Sequence, residues 1–122
     1  MWIFVGLGGI LGAVIRYTLG TWIMSRTSGS FPWGTWLINL TGSFGLGVLA
    51  TSHLQSDLAE WLWLFLGIGF LGAYTTFSTF GMETVQFIQK GKNYSAIVYV
   101  TTSVILGIIF AFLGNLLVRT VT

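Results

Sequence analysis

Charged residues are what this sequence has least of. Lysine and arginine number 5, aspartate and glutamate 3, and together they make up 7% of the 122 residues, against 54% that are hydrophobic. A typical soluble domain carries roughly a quarter charged residues, so this chain cannot cover a globular surface with charge. We therefore expect lipid to be its solvent. The formal net charge of +2 is also too small to indicate a nucleic-acid partner.

Cysteine is absent, and histidine and proline occur once each. Without cysteine, neither a disulfide framework nor a thiolate metal site can form. His53 shares a polar loop with Asp57 and Glu60, and we interpret this irregular group as solvated rather than as a metal site. A pH-sensing role for His53 is the alternative. The sequence shows no nucleophile–base pair and no metal-ligand cluster, so an enzyme is not expected.

Long apolar runs take up most of the chain. Each is long enough to cross the roughly 30 Å hydrocarbon core of a bilayer as a helix. The sequence therefore predicts one all-α membrane domain, residues 1–122, that crosses the membrane four times. The four predicted transmembrane helices are at about residues 2–24, 33–52, 61–82 and 94–118.

The third run, Trp61–Met82, has no charged residue, yet its middle is unusual for a simple membrane anchor. Glycines at 67, 69 and 72 are followed by hydroxyl side chains at 75, 76, 78 and 79. Non-helical backbone at membrane depth is tolerated only where it is buried in protein or lines a polar cavity. We expect the third helix to be broken near Gly72–Thr75 and to carry a site. Ordinary packing by small and hydroxyl residues is the alternative.

Polar or small residues also recur every four positions in the second span, at Thr35, Asn39, Ser43 and Gly47, which places them on one helix face. The Asn39 amide needs hydrogen-bond partners at membrane depth. It either joins this helix to another one or offers its NH2 group to an anion in a pore.

The first span repeats small residues at the same spacing, with Gly8, Gly12 and Gly20 on one stripe. Such stripes let another backbone approach closely. With only four short spans, we expect a second copy of the chain to supply that surface, giving a homodimer. Arg16 lies on the same stripe, and we predict a structural or vestibule role for it facing the bundle. Snorkelling to the interface is the alternative.

None of the four predicted spans contains aspartate or glutamate, and Glu83 lies just beyond the third. Glu83 is either at a pore mouth or simply the first residue in water. The absence argues against the main alternative function, a small dual-topology multidrug exporter, because proton-coupled export of cations needs a membrane-embedded carboxylate. A non-transporting scaffold is a further alternative. Hydroxyls, an amide and the positive ring edges of Phe77 and Phe80 are weak donors that suit conduction of a small anion.

Three motifs resemble the CrcB/Fluc fluoride-channel family. GAYTTFSTFGMET (Gly72–Thr84) is similar to that family's third-helix signature, and GGILGAVIRY (Gly8–Tyr17) and GTWLINLTGSFGLG (Gly34–Gly47) are similar to its first and second helices. They occur in the family's order and span nearly the whole chain. The resemblance implies a fluoride-selective channel that exports fluoride passively and lowers its cytoplasmic concentration. It also implies an antiparallel, dual-topology homodimer with two pores.

The same resemblance implies roles for individual residues. The pore or anion-binding residues would be Phe77 and Phe80, the family's pore phenylalanines, Asn39, its pore asparagine, and Ser78, Thr79, Tyr99 and Ser103, its polar track. Gly72 and Thr75 match positions whose backbone carbonyls hold a structural Na+ at the dimer centre. Gly107 stands where some relatives have serine, which removes one hydroxyl from the far end of the track.

Overall fold

The computed structural model describes residues 2–27, 29 and 31–121, and the regular structure within them is all helical. The helices are α1 (Trp2–Arg26), α2 (Trp33–Leu54), α3 (residues 60–74), α4 (Ser78–Gln89) and α5 (Asn93–Val121). Each predicted span falls on one of these helices, or on the broken pair of α3 and α4. The expected all-α architecture is confirmed.

Three helical stretches are long and apolar enough to cross a membrane: Trp2–Arg26, Glu60–Gln89, which contains both α3 and α4, and Asn93–Val121. α2 has 22 residues, which at 1.5 Å per residue reach about 33 Å. Its glycine, hydroxyl and amide residues leave it outside the group of three. The chain is therefore a multi-pass membrane protein.

α1 and α3 pack backbone against backbone. A Cβ atom at Gly8 or Gly12 would collide with backbone carbonyls of α3, and one at Gly69 would collide with a backbone carbonyl of α1. The part of α3 in this contact, Trp63–Leu71, is π-helical. The glycine stripe of α1 does meet a close neighbour, as expected, but the expectation that a second copy supplies it is wrong. That neighbour is α3 of the same chain.

α2 and α5 form a second close pair. Gly47 lies against the backbone of α5, and Gly114 lies against the backbone of α2. Two hydrogen bonds link the same helices, Trp36 Nε1 to Thr102 Oγ1 at 3.1 Å and Thr51 Oγ1 to Asn115 Oδ1 at 2.9 Å. The protomer thus consists of two tightly packed helix pairs, with α4 joining one pair to the other.

The helix is interrupted at residues 75–77. Thr75 is extended, with φ −79° and ψ 154°, whereas Phe77 keeps helical backbone angles and α4 begins at Ser78. The expected break is confirmed, but its expected position, Gly72–Thr75, is too early, because Gly72–Tyr74 still forms a helical turn. The interruption coincides with hydrogen bonds between the backbone of Thr76 and a side chain of α2, rather than with the position of the glycine.

α4 ends in a Schellman motif, in which Gly91 adopts φ 73°. Lys92 N donates to Phe87 O at 2.8 Å and Gly91 N donates to Ile88 O at 3.1 Å. Glycine suits this left-handed position because it has no Cβ. The tight turn packs α5 against α4, where Phe87, Ala96 and Tyr99 form a buried cluster.

Candidate functional site at the helix break

The break opens on a cleft of about 390 Å³ between α2, α3, α4 and α5, here called the mid-helix cleft. Its polar or aromatic wall residues include Asn39, Ser43, Thr75, Thr76, Phe77, Phe80 and Ser103. No acidic side chain is among the residues that line it. The cleft therefore combines neutral polar groups with phenyl rings at the depth of the membrane.

Asn39 is hydrogen bonded to the backbone of the break. Its Nδ2 donates to Thr76 O at 3.0 Å, and Thr76 N donates to its Oδ1 at 2.9 Å. Buried backbone groups almost always need a partner, and Thr76 is only 8% exposed. Of the two roles left open for Asn39, the structure therefore shows the joining one, while Asn39 also lies in the cleft wall.

The start of α4 is partly capped within the break. Thr79 N donates to Thr76 Oγ1 at 3.3 Å, and Gly81 N donates to Phe77 O at 2.9 Å. The N-terminus of a helix carries a partial positive charge that favours anions. The break therefore points the positive end of α4 toward a polar cleft.

The carbonyl oxygens at the end of α3 are left without backbone partners. Within the described chain, no backbone N–H donates to the carbonyls of Gly72, Ala73 or Tyr74. Carbonyl oxygens are the ligands that hard cations prefer. Gly72 is exposed, and a Cβ there would meet nothing within 4 Å. Gly72 and Thr75 also line the mid-helix cleft, and Tyr74 is buried.

Phe77 and Phe80 both line the mid-helix cleft, with ring centroids 6.1 Å apart. Their surroundings differ. Phe77 is 84% exposed, whereas Phe80 is half-buried and its ring lies 5.0 Å from that of Tyr99. The two rings share one cleft, as their spacing predicted, but only Phe80 is packed against the core.

Ser103 supplies an unpaired hydroxyl to the cleft. Its Oγ is buried and has no hydrogen-bond partner within the described chain. Buried polar atoms are rarely left unpaired, so this hydroxyl is available to a ligand. Ser43 Oγ is already bonded to Asn39 O at 2.8 Å. A Cβ at Gly107 would lie 3.5 Å from Ser43 Oγ, so a serine at 107 would extend this polar wall.

Tyr99 is fully buried and lies outside the walls of the mid-helix cleft. Its hydroxyl donates to Glu83 Oε1 at 2.9 Å, and Glu83 is also hydrogen bonded to Thr35. The sequence left Glu83 either at a pore mouth or as the first residue in water, and it did not predict a contact between Thr35 and Glu83. The one available signal was that Thr35 shares the helix face of Asn39.

A second cleft, of about 450 Å³, lies between α1, α2 and α4 and is here called the Arg16 cleft. Arg16, Thr35, Thr79 and Glu83 line it, and so does Thr76. Thr76 is thus shared by both clefts, which meet at the break. A vestibule role for Arg16 stays a prediction, and Ser78, which is exposed, lines neither cleft.

These features define a class: a small multi-pass membrane protein whose broken helix opens on a neutral polar cleft. Residues 3–115 match the model of the family described as CrcB-like protein, Camphor Resistance (CrcB). The chain belongs to this family, and the resemblance of its three motifs is confirmed.

Relatives cover the chain almost end to end. The chain is 41% identical over 111 residues to fluoride-specific ion channel FluC 2 of Clostridium acetobutylicum, covering 91% of this chain and 92% of that protein. It is 45% identical over 114 residues to fluoride-specific ion channel FluC of Acidobacterium capsulatum, covering 93% and 91%. For the protein of the same name from Thermus thermophilus, identity is 40% over 113 residues, covering 93% and 89%.

Proposed function

We propose that this chain is a fluoride-selective channel through which fluoride leaves the cytoplasm passively across the plasma membrane. The observation that carries the proposal is the mid-helix cleft, in which the unpaired Ser103 hydroxyl, the Asn39 amide and the Phe80 ring meet without any carboxylate. The relatives named as fluoride-specific ion channels support fluoride as the anion.

Weak donors suit conduction because an ion must leave its site as readily as it enters. A hydroxyl, an amide N–H and the positive edge of a phenyl ring each attract an anion without holding it as a full charge would. Arg16, a full positive charge, lines the neighbouring cleft rather than this one. That arrangement attracts anions toward the break, while the residues that line the mid-helix cleft itself are all neutral.

The exporter alternative gains no support from the cleft. Proton-coupled export needs an exchangeable carboxylate in the transport site. The nearest one along the chain, Glu83, lies outside the mid-helix cleft, where Tyr99 and Thr35 are hydrogen bonded to it.

Ion flux from liposomes tests the proposed function. Liposomes that contain the purified protein and potassium fluoride should release fluoride once a potassium ionophore is added, with no proton gradient, and chloride-loaded liposomes should retain their anion. Tight fluoride-loaded liposomes in the presence of folded protein would contradict a channel. Release that requires a proton gradient would show a coupled transporter instead.

An antiparallel homodimer is the second part of the proposal. Phe77 is 84% exposed, and Gly72, whose carbonyl accepts no backbone hydrogen bond within the described chain, is exposed as well. Lipid cannot satisfy non-helical backbone, so a second copy is needed to cover the break. The charges allow both orientations, because the basic residues outside the apolar runs are divided three to one: Arg26, Lys90 and Lys92 against Arg119.

Labelling of a single cysteine tests this topology, since the chain has no cysteine of its own. Ala59 is exposed in the loop between α2 and α3. Ala59→Cys in cells should react with a membrane-impermeant maleimide from both faces of the membrane. Reaction from one face alone would contradict the antiparallel assembly.

Na+ is the third part of the proposal. The backbone carbonyls of Gly72 and Thr75 are proposed to hold the ion, because the end of α3 offers carbonyl oxygens free of backbone hydrogen bonds. Bound there, the ion would neutralise the negative end of α3 and link the breaks of the two copies. No acidic side chain is needed, so the site adds no negative charge beside an anion pathway.

A further inference from the structure

The single residue that fixes the helix break lies on another helix. Thr76 is the middle residue of the three that interrupt the helix, and both of its backbone groups bond to Asn39, at 2.9 and 3.0 Å. An uninterrupted helix would supply those partners from its own backbone. Here one amide side chain of α2 supplies them.

The orientation of the Asn39 amide follows from its two partners. Turned around, it would place its NH2 group against the N–H of Thr76 and its oxygen against the carbonyl of Thr76, which removes both hydrogen bonds. The oxygen is therefore fixed toward Thr76 N and the nitrogen toward Thr76 O. The Asn39 NH2 group has a second N–H that takes no part in these two hydrogen bonds, and Asn39 lies in the wall of the mid-helix cleft.

The position of Thr76 determines what surrounds it. On one side, Thr75 turns extended and ends α3. On the other, Thr76 Oγ1 accepts a hydrogen bond from Thr79 N in the first turn of α4. A shift of Thr76 would therefore move both the free carbonyls at the end of α3 and the start of α4, which carries Phe80.

We propose that Asn39 is a positioning residue: its amide clasps the backbone of Thr76 and so sets where the helix breaks. An anion ligand would contact the ion directly. A positioning residue instead affects the ion by holding the backbone of the break, and with it the start of α4, in place. The inference bears on the proposed channel, but the clasp itself is testable without fluoride.

Amide hydrogen exchange at Thr76 in the purified full-length protein measures the clasp directly. In Asn39→Ala, exchange at Thr76 should be about 10 to 100 times faster, the range expected when a buried donor loses its partner. The matched control is Thr41→Val. Thr41 Oγ1 also joins α2 to α3, 2.8 Å from Tyr74 Oη, but it bonds to a side chain rather than to the break's backbone. Exchange at Thr76 should change little in this control.

Asn39→Asp supplies the conservative variant. Either form of its carboxyl group can accept from Thr76 N, as the amide does, and the neutral form can also donate to Thr76 O. After correction for intrinsic exchange rates, protection of Thr76 should therefore stay near the wild-type level in this variant. Asn39→Leu has a similar shape but no acceptor, so exchange at Thr76 should be as fast as in Asn39→Ala. Simple packing between helices predicts no difference between Asn39→Asp and Asn39→Leu, and this pair also serves if Asn39→Ala does not fold.

Three outcomes separate the possibilities. Unchanged protection of Thr76 in folded Asn39→Ala or folded Asn39→Leu overturns the clasp. Faster exchange spread evenly over all helices overturns it too, because it indicates general loss of stability. Faster exchange confined to residues 75–80 supports it. Localised faster exchange in the variant, together with wild-type protein that does not conduct fluoride, would support the clasp and contradict the proposed function. Wild-type protein that conducts fluoride, together with unchanged exchange in the variant, would support the proposed function and contradict the clasp.

Discussion

The α1–α3 contact and the break between α3 and α4 are two parts of one membrane segment, but they are stabilised in different ways. In the contact, glycines let backbones touch where no Cβ fits, and hydrogen bonds stay within each helix. At the break, backbone groups leave the helix and polar side chains take over, with Asn39 bonded to Thr76 on both sides. One region depends on the absence of side chains, the other on their presence.

We therefore expect substitutions in the α1–α3 contact to affect folding and substitutions at the break to affect ion conduction. A larger residue in the α1–α3 contact displaces whole helices, so damage there should abolish the folded protein. A smaller residue at the break or in the cleft removes one donor or ring while the helix pairs remain packed. Substitutions in the two regions test whether folding and conduction respond separately, and the largest expected effect comes first.

The largest effect is expected from Gly12→Ala. The new Cβ would collide with the carbonyl of Phe70, and overpacking of this kind costs about 1–3 kcal/mol or more when backbone must move. The matched control is Gly6→Ala in the same helix, where a Cβ would meet nothing within 4 Å. Size-exclusion chromatography and thermal unfolding should show loss of folded protein in the first variant and none in the second. Equal stability of the two variants would show that the helices are not in backbone contact.

Replacing the cleft rings should abolish flux while preserving assembly. Phe80→Ile removes the positive ring edge and the contact with Tyr99, at a cost to stability of about 1–2 kcal/mol. Phe77→Ile should lose flux as well, with less effect on unfolding, because Phe77 is 84% exposed. Fluoride efflux from liposomes and thermal unfolding measure the two effects separately.

Phe70→Ile is the control for the rings. Phe70 stacks on Tyr74 at 5.8 Å and packs against the core near Ile38 and Leu71, so this variant should lose stability and keep its flux. Normal flux in both cleft variants, with loss only in Phe70→Ile, would mean that the rings at 77 and 80 do not face the ion.

A smaller effect is expected from Ser103→Ala. The hydroxyl has no partner within the described chain, so its removal should slow fluoride flux without destabilising the protein. Thr102→Val, one residue away, should do the opposite: it breaks the 3.1 Å hydrogen bond from Trp36, worth about 1 kcal/mol, outside the cleft. Thermal unfolding and fluoride efflux are measured for both variants. Slower efflux in Thr102→Val but not in Ser103→Ala would contradict the expectation.

The smallest effect is expected from exchanging Na+ for a large organic cation. A ligand that binds only the folded state stabilises it by RT ln(1 + L/Kd), where L is the free ligand concentration. This is about 0.4 kcal/mol where the Na+ concentration equals Kd. The unfolding temperature should therefore fall when Na+ is replaced at constant ionic strength, and it should return when Na+ is restored. Unfolding temperatures that do not depend on Na+ would leave no support for a structural ion at Gly72 and Thr75.

Parts of this molecule followed directly from its sequence. Apolar runs specified the helices, because no other element satisfies its backbone in lipid. Hydroxyls after glycines indicated a break. Its exact place did not follow, since a partner 37 positions away in the chain, Asn39, decides which residue leaves the helix. The π-helical geometry of Trp63–Leu71 was not predictable either, because its glycines fit an α-helix equally well.

Contacts between helices were harder to predict than the helices. The spacing of Gly8 and Gly12 predicts a close approach but does not say what approaches, and the answer is α3 of the same chain. Similarly, Glu83 looked like a residue at the membrane edge, while the fold places it in hydrogen-bond contact with Tyr99. Spacing along one helix places residues on a face, but only the packing of several helices determines what that face meets.

The most direct test of the central claim, that fluoride passes through the mid-helix cleft, is to obstruct the cleft after folding. Val104 lines it and is 50% exposed, whereas Ile105 beside it is 51% exposed and lies outside the lining. Because the chain has no cysteine, Val104→Cys and Ile105→Cys can each be modified with a bulky thiol reagent at one known position. Fluoride efflux should stop after modification at 104 and continue after modification at 105. Complete modification at 104, verified by mass, with undiminished efflux would contradict the account.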